Sequence, residues 1–180
     1  YHETEEIEFE GTKIQVPKGD ILHQFRKDVK DGKLPAVSWL CAPQHFSDHP
    51  SAPMYGAWYV SEILNILTKN SEVWKKTIFI LNYDANDGYF DHVPPFVAPK
   101  TGDPNSGAVS AELQEGLQTE FVTKEHELAS GVSEANATEG PVGLGYRVPL
   151  IIASPWTRGG WVNSEVCDIT STIQFLEVFL

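Results

Sequence analysis

The sequence has no apolar run near the ~20 residues that a membrane-spanning helix requires. It is also short of positive charge, with 13 Lys and Arg residues against 25 Asp and Glu and a formal net charge of −12. Because nucleic acid and anionic bilayers are negatively charged too, this balance opposes simple electrostatic binding to either. A zwitterionic lipid surface stays compatible with it. No signal peptide is visible, and a chain that begins within a longer protein would have lost one.

Cysteine is scarce. Cys41 and Cys167 each lie beside apolar residues, which predicts two buried thiols, although a disulfide between them stays open. Their spacing does not indicate a metal site.

The 180 residues match one ordinary domain in size. Since the chain starts at Tyr1 and stops within an apolar run, we expect it to be a piece of a longer protein.

Apolar runs predict the core of an α/β domain. Residues 34–42, 77–81 and 150–154 are short, apolar and rich in β-branched or aromatic side chains, which predicts buried strands. Residues 57–67 carry apolar side chains at helical spacing, which predicts an amphipathic helix. The order of strand, loop, helix and strand predicts a right-handed βαβ unit of a parallel sheet.

Weaker signals predict three further elements. Residues 8–16 alternate about a glycine, which favours a small hairpin or an edge strand. Asp20 is suited to cap a following helix, and Asp168 or Thr170 a last helix within residues 166–180. Residues 98–141 are dominated by Pro, Gly, Ser, Thr, Asn and Glu. A long excursion of this kind is typical of a lid-like insert or a mobile segment.

Polar side chains crowd the loop after the run at residues 77–81. They are Asp84, Asn86, Asp87, Asp91 and His92, around Gly88. Open α/β sheets bind ligands at the carboxyl ends of their strands, and oxygen-rich clusters suit Ca²⁺ or Mg²⁺. The same residue types are also ordinary in turns that hold no metal. Histidine and aspartate follow the run at residues 34–42 as well, which favours one shared site.

Residues 83–96, YDANDGYFDHVPPF, resemble the YDENDGYFDHVPPF signature of the bacterial phospholipase C family. Relatives of that family include plant non-specific phospholipases C and a group of bacterial acid phosphatases. The resemblance extends upstream through LPAVSWLCAPQHFSDHPSAP and AWYVSEILNIL, and downstream through GLGYRVPLIIASPWTRGGWVNSEVCDITS. Three separate blocks in the right order make the match specific, and it covers most of the chain outside residues 98–141.

The resemblance implies an alkaline phosphatase-like fold, in which helices sandwich a mainly parallel sheet. Residues 1–180 would be the carboxyl-terminal portion of one phosphoesterase catalytic domain, so the fold would be incomplete in this chain. The implied activity is hydrolysis of the glycerol-phosphate bond of a phospholipid, phosphatidylcholine above all, to diacylglycerol and a phosphorylated headgroup. Such an enzyme touches a membrane surface transiently, and family members are typically secreted or periplasmic.

The resemblance also assigns site residues. Asp84 matches the metal-binding Asp of the family, and the implied cofactor is a divalent cation of the Ca²⁺ or Mg²⁺ type. His49, Asp87 and His92 fall on signature positions near that site and are the candidate catalytic residues. His49, in the family's His-Pro pair with Pro50, is the better candidate for contact with phosphate.

Departures from the family pattern keep alternatives open. Ala85 stands where the family has a Glu that binds the metal, and Ile169 stands within the block that the family spells DHTS. The family's nucleophile and a Glu-Asn pair fall upstream of the first block, so this chain should hold half of an active site. Arg147 or Arg158 could meet a phosphate or hold a loop. The alternatives are an acid phosphatase-type phosphomonoesterase and a degenerate relative that binds phosphate ligands without turnover.

Overall fold

The computed structural model describes residues 4–17, 19–49 and 52–180. The helices and strands in these ranges are β1 (Thr4–Phe9), β2 (Thr12–Pro17), α1 (His23–Asp31), α2 (Pro53–Lys69), α3 (Ser71–Trp74), β3 (Phe79–Asn82), β4 (Phe121–Val122), α4 (Lys124–Ala129), β5 (Gly140–Pro141), β6 (Leu150–Ala153) and α5 (Thr170–Phe179). The chain divides into two compact units. The first unit contains residues 1–81 and 150–164, and the second contains residues 82–149 and 165–180.

The predicted hairpin is confirmed in the first unit. Strands β1 and β2 pair antiparallel, with Ile7 opposite Ile14. The two turn residues, Glu10 and Gly11, have φ values of 49° and 75°. Positive φ at both central residues is what the tight turns that match the twist of a hairpin require. Ile14 and Val16 are buried, so the hairpin lays one face on the core.

Helices α1 and α2 build the core of the first unit. Their buried apolar side chains recur at helical spacing and pack with β2, α3 and Phe46; those of the two helices are Phe25, Val29, Tyr59, Ile63, Ile66 and Leu67. Asp20 lies before α1, where its Oδ1 accepts from the Leu22 amide at 3.0 Å and its Oδ2 from Arg26 Nε at 2.7 Å. Asp20 thus stabilises the turn before α1, but the N-cap residue is Leu22, which makes no side-chain capping bond, so the predicted cap by Asp20 is wrong.

The predicted strand at residues 34–42 is wrong. These residues form neither a helix nor a strand, and Val37, Trp39 and Leu40 are exposed. An apolar run becomes a strand only where a neighbouring strand takes up its backbone hydrogen bonds, and the described part of the chain places none there. The predicted βαβ unit is therefore not formed. Cys41 and Cys167 are exposed free thiols, so the prediction of buried thiols is wrong too.

The other two predicted strands are present but less covered than expected. Strands β3 and β6 are hydrogen-bonded neighbours in a two-stranded sheet. The apolar residues of β3 are half-buried, and Leu150, Ile151 and Ile152 of β6 are exposed. Mixed helix and strand content is as predicted for an α/β chain. The mainly parallel, alkaline phosphatase-like sheet stays a prediction.

Residues 98–141 have local structure of their own in the second unit. A 3-10 helix at Ala111–Glu120 buries Leu117 and leads into β4. Strand β4 pairs antiparallel with β5, and α4 lies between them. These residues thus contain secondary structure of their own, and their role as an insert or lid stays a prediction.

Helix α5 begins where Asp168 was expected to start it. Asp168 Oδ1 accepts from the amides of Thr170 at 2.8 Å and Ser171 at 3.2 Å. These bonds satisfy amides of the first turn that have no partner within the helix. No helix in the described ranges is both long and apolar enough to cross a membrane.

Candidate functional site

The loop after β3 is built on a tight turn. We call residues 83–96 the motif loop. The Tyr89 amide donates to the Asn86 carbonyl at 3.2 Å, and the two central residues, Asp87 and Gly88, have φ values of 61° and 78°. Asn86 Oδ1 accepts from the Gly88 amide at 3.1 Å, and Asn86 Nδ2 donates to the Tyr89 carbonyl at 2.6 Å. Asn86 and Gly88 therefore act as turn residues, the alternative that the sequence left open.

The candidate metal ligand stands in an open position on this loop. Asp84 is exposed, and so is Ala85 beside it, whose methyl group cannot coordinate a cation. Asp87 is half-buried. Among the described residues, no three His, Cys, Asp or Glu side chains are grouped to hold a metal ion. Asp84 thus offers a single carboxylate, and the described residues do not by themselves fit a metal centre.

A bidentate ion pair fixes the middle of the motif loop. Arg147 donates from Nε to Asp91 Oδ2 at 2.7 Å and from Nη2 to Asp91 Oδ1 at 2.8 Å. Asp91 Oδ1 also accepts from the Val93 amide at 3.2 Å. The Arg147 guanidinium, followed by the Val93 amide, holds the pKa of Asp91 well below its usual range, and Asp91 raises the pKa of Arg147. Both groups therefore stay charged at neutral pH.

His92 is displayed next to this ion pair. Its side chain is 84% exposed, whereas that of Asp91 is only 13% exposed. His92 Nδ1 lies 3.5 Å from Asp91 Oδ1. The imidazole thus lies beside a fixed carboxylate and is otherwise exposed.

The motif loop is tied to a second stretch, residues 143–149, which we call the return segment. The Tyr83 amide donates to the Pro149 carbonyl at 3.4 Å, and the Leu144 amide donates to the Phe96 carbonyl at 3.0 Å. Between these ties, the rings of Phe90 and Tyr146 are 6.4 Å apart. The two backbone bonds at the ends run in antiparallel order, and the ring contact and the ion pair lie between them. The return segment therefore contacts the motif loop at both ends and in its middle.

Close approach of the two stretches requires glycine at one position. Gly143 has a φ of 64°, and a Cβ there would lie 2.8 Å from both the Phe96 carbonyl oxygen and Val97 Cγ1. A side chain would push the stretches apart, since real contacts of this kind are longer.

His49 belongs to the first unit, whereas Asp84, Asp87 and His92 share the motif loop of the second. His49 is exposed and follows a 3-10 turn at Gln44–Phe46. The preceding residue, Asp48, has a φ of 65° and packs against Gly56 of α2. Pro50, the other half of the predicted His-Pro pair, lies outside the described residues.

Sequence reasoning missed the partnership of Asp91 with Arg147. The two residues are 56 positions apart, and the sequence offered Arg147 only a phosphate or a loop carbonyl. The available signal was that both lie in the blocks resembling the phospholipase C family. Arg158, the other candidate, contributes its backbone carbonyl, which accepts from Trp161 Nε1 at 3.0 Å.

Comparison with known proteins decides the family. A sequence model of the Phosphoesterase family matches residues 2–179. The chain belongs to the phosphoesterase family. It is 46% identical over 168 residues to a non-hemolytic phospholipase C of Burkholderia pseudomallei, covering 93% of this chain and 22% of the relative. It is 45% identical over 158 residues to a hemolytic phospholipase C of Pseudomonas aeruginosa, covering 87% of this chain and 19% of the relative.

More distant relatives bear related names. Phospholipase C B of Mycobacterium tuberculosis is 37% identical over 153 residues, which are 84% of this chain and 26% of the relative. Non-specific phospholipase C6 of Arabidopsis thaliana is 30% identical over 168 residues, with 86% of this chain and 27% of the relative covered. The resemblance to bacterial and plant phospholipases C is thus confirmed, and the phosphoesterase chain spans about a fifth to a quarter of these relatives.

Proposed function

We propose that the full-length protein is a phospholipase C that hydrolyses the glycerol-phosphate bond of phosphatidylcholine to diacylglycerol and phosphocholine. The observation that carries this proposal is the 46% identity, over 93% of the chain, to a non-hemolytic phospholipase C. At that level of identity the family's chemistry is the expected one, although fold alone would not give function.

Protein groups of this chain have distinct roles in the proposed reaction. His49 contacts the phosphoryl oxygens, where negative charge grows as the bond breaks. His92 donates a proton to the departing glycerol oxygen, since a positioned acid typically speeds such a step by about 10²–10⁴-fold. Asp87 lies in the turn between Asp84 and His92 and is the third candidate catalytic residue.

The proposed cofactor is a divalent metal ion, Ca²⁺ or Mg²⁺, with Asp84 as one ligand. Carboxylate oxygens suit these hard cations. The described residues leave the ligand set incomplete, so the other ligands of the proposed site lie beyond them. Bound there, the ion would stabilise negative charge on the phosphoryl oxygens of the substrate.

The proposed setting is the surface of a zwitterionic membrane outside the cytoplasm. A net charge of −12 disfavours anionic bilayers and nucleic acid but tolerates phosphatidylcholine. Contact with the membrane is transient, and the protein is secreted or periplasmic. Its catalytic domain has the alkaline phosphatase-like fold, with residues 98–141 as an insert.

The test is release of phosphocholine from phosphatidylcholine micelles by the full-length protein, after chelation and after return of Ca²⁺ or Mg²⁺. We expect metal-dependent release, and a large loss in the His49→Ala and His92→Ala variants. His126→Ala is the matched control, because His126 is an exposed histidine on α4 outside the proposed site. A folded protein that releases nothing with either metal would contradict the proposal. Faster hydrolysis of simple phosphate monoesters would favour the acid phosphatase alternative.

A second candidate function rests on Ala85. The residue leaves the motif loop without the second carboxylate of the resembled pattern, which favours a relative that binds phosphate ligands without turnover. The Ala85→Glu variant separates the two candidates. A large gain in metal-dependent hydrolysis would show that only this ligand had been lost, whereas an inactive wild type and no gain would favour the binding protein.

A further inference from the structure

The bidentate pair of Arg147 and Asp91 does more than join two loops. We propose that Arg147, acting through Asp91, is a positioning residue that fixes His92 for phosphoester hydrolysis. This inference rests on the proposed function, in which His92 donates a proton to the leaving oxygen. It assigns Arg147 to the site without any contact with the substrate.

The Asp91 carboxylate anchors the backbone on both sides of His92. It belongs to the residue before His92, and its Oδ1 accepts from the amide of Val93, the residue after. The same Oδ1 lies 3.5 Å from His92 Nδ1. Since Nδ1 faces the carboxylate, Nε2 is the ring nitrogen left for a substrate. The Asp91 carboxylate therefore fixes the backbone that carries His92 and lies beside its ring.

Arg147 fixes that carboxylate in a way that other cations could not. Its two parallel N–H bonds, at 2.7 and 2.8 Å, set both the position and the rotation of the carboxylate plane. A lysine would attract Asp91 as a point charge but would leave the rotation free. A carboxylate that is free to rotate would let His92 shift, and a misplacement of a catalytic group by about 1 Å can slow a reaction about 10²-fold.

The arginine is itself held by the return segment. The ring contact of Tyr146 with Phe90 lies beside the ion pair, and the bond from the Leu144 amide to the Phe96 carbonyl lies just beyond it. The neighbouring contacts of the return segment therefore fix the backbone position of Arg147. Its Nε and Nη2 are already committed to Asp91, which disfavours the direct contact with phosphate that the sequence left open.

The test compares variants of the full-length protein in steady-state release of phosphocholine. The variants are Arg147→Gln, Arg147→Lys, Asp91→Asn and the Asp91→Asn/Arg147→Gln double variant. Arg26→Gln is the matched control, because it breaks a similar two-bond pair with Asp20, at 2.7 and 3.3 Å, in the first unit. Thermal unfolding of each variant corrects for loss of folded protein.

The expected result is a loss of kcat with little change in KM. Arg147→Gln and Asp91→Asn should each lower kcat by about 10-fold to 100-fold. The kcat of the double variant should be no lower than that of the less active single variant, because both changes break the same pair. Arg147→Lys should fall between wild type and Arg147→Gln, and Arg26→Gln should keep the wild-type kcat. Arg147→Gln with wild-type kcat would overturn the proposal. So would additive losses, or a rise in KM confined to Arg147→Gln, which would assign Arg147 to the phosphate directly.

A second readout does not depend on turnover. In protein labelled with ¹³C-histidine, Arg147→Gln should shift the His92 ring resonance, and Arg26→Gln should leave it unchanged. An active wild type whose His92 resonance ignores Arg147→Gln would refute the positioning role alone. An inactive wild type would refute the proposed function. If Arg147→Gln still shifted the His92 resonance in that case, the Asp91–Arg147 pair would have a structural role only.

Discussion

Replacing Gly56 by alanine should dislodge the loop that carries His49. A Cβ on Gly56 would lie 2.8 Å from Asp48 Cβ and 3.1 Å and 3.2 Å from the Asp48 backbone nitrogen and Cα. Ordinary carbon contacts are about 3.5–4.0 Å, so backbone has to move. Asp48 already has a φ of 65°, which limits its room to adjust. Overpacking of this kind costs about 1–3 kcal/mol.

The helix itself offsets part of that cost. Alanine is preferred over glycine inside a helix by about 1 kcal/mol, so the net loss of unfolding free energy for Gly56→Ala should be about 0–2 kcal/mol. Gly116→Ala is the matched control, because nothing lies within 4 Å of a Cβ there. Gly116→Ala should be unchanged or slightly more stable, because alanine lowers the conformational entropy of the unfolded chain.

The assay is denaturant unfolding of both variants, with phosphocholine release measured beside it. Gly56→Ala should unfold at lower denaturant than Gly116→Ala and should lose turnover, because Asp48 and His49 move together. If Gly56→Ala matched Gly116→Ala in stability, the close packing of Asp48 on α2 would be refuted.

Three further predictions concern the second unit. Gly143→Ala should cost about 1–2 kcal/mol for its left-handed backbone, plus the clash with Phe96, and hydrogen exchange at the Leu144 amide should speed up. Arg147→Gln should raise the pKa of Asp91 toward its ordinary value, as ¹³C titration of the carboxyl would show. Since the folded pKa lies below the unfolded one, the pair's stabilisation is present at neutral pH and lost as pH falls through the folded pKa. Asp168→Ala should cost about 1 kcal/mol by removing the bonds that start α5, measured by thermal unfolding.

The fold was predictable from the sequence where local chemistry decides it. The turn at Gly11 and the alternation around it predicted the hairpin, and the apolar spacing within residues 57–67 predicted the middle of α2. The predicted strand at residues 34–42 was wrong because a strand depends on neighbouring strands that are distant in sequence. Trp39 and Leu40 have the right composition, yet they are exposed and no strand forms.

The site divides in the same way. The turn at Asn86 and Gly88 follows from residue types that favour positive φ and side-chain bonds to the backbone. The pairing of Asp91 with Arg147 does not follow from residue types, because an arginine can donate to a carboxylate, a carbonyl or a phosphate and the sequence does not select among them. Only the three-dimensional approach of the return segment selects the carboxylate.

The most direct test of the central claim is product analysis in H₂¹⁸O. The full-length protein would be given phosphatidylcholine and a divalent metal, and the products followed by ³¹P NMR and mass spectrometry. The account predicts phosphocholine carrying one ¹⁸O atom together with unlabelled diacylglycerol, because water replaces the glycerol oxygen on phosphorus. Phosphatidic acid with free choline, or labelled diacylglycerol, would show that a different bond is broken and would contradict it.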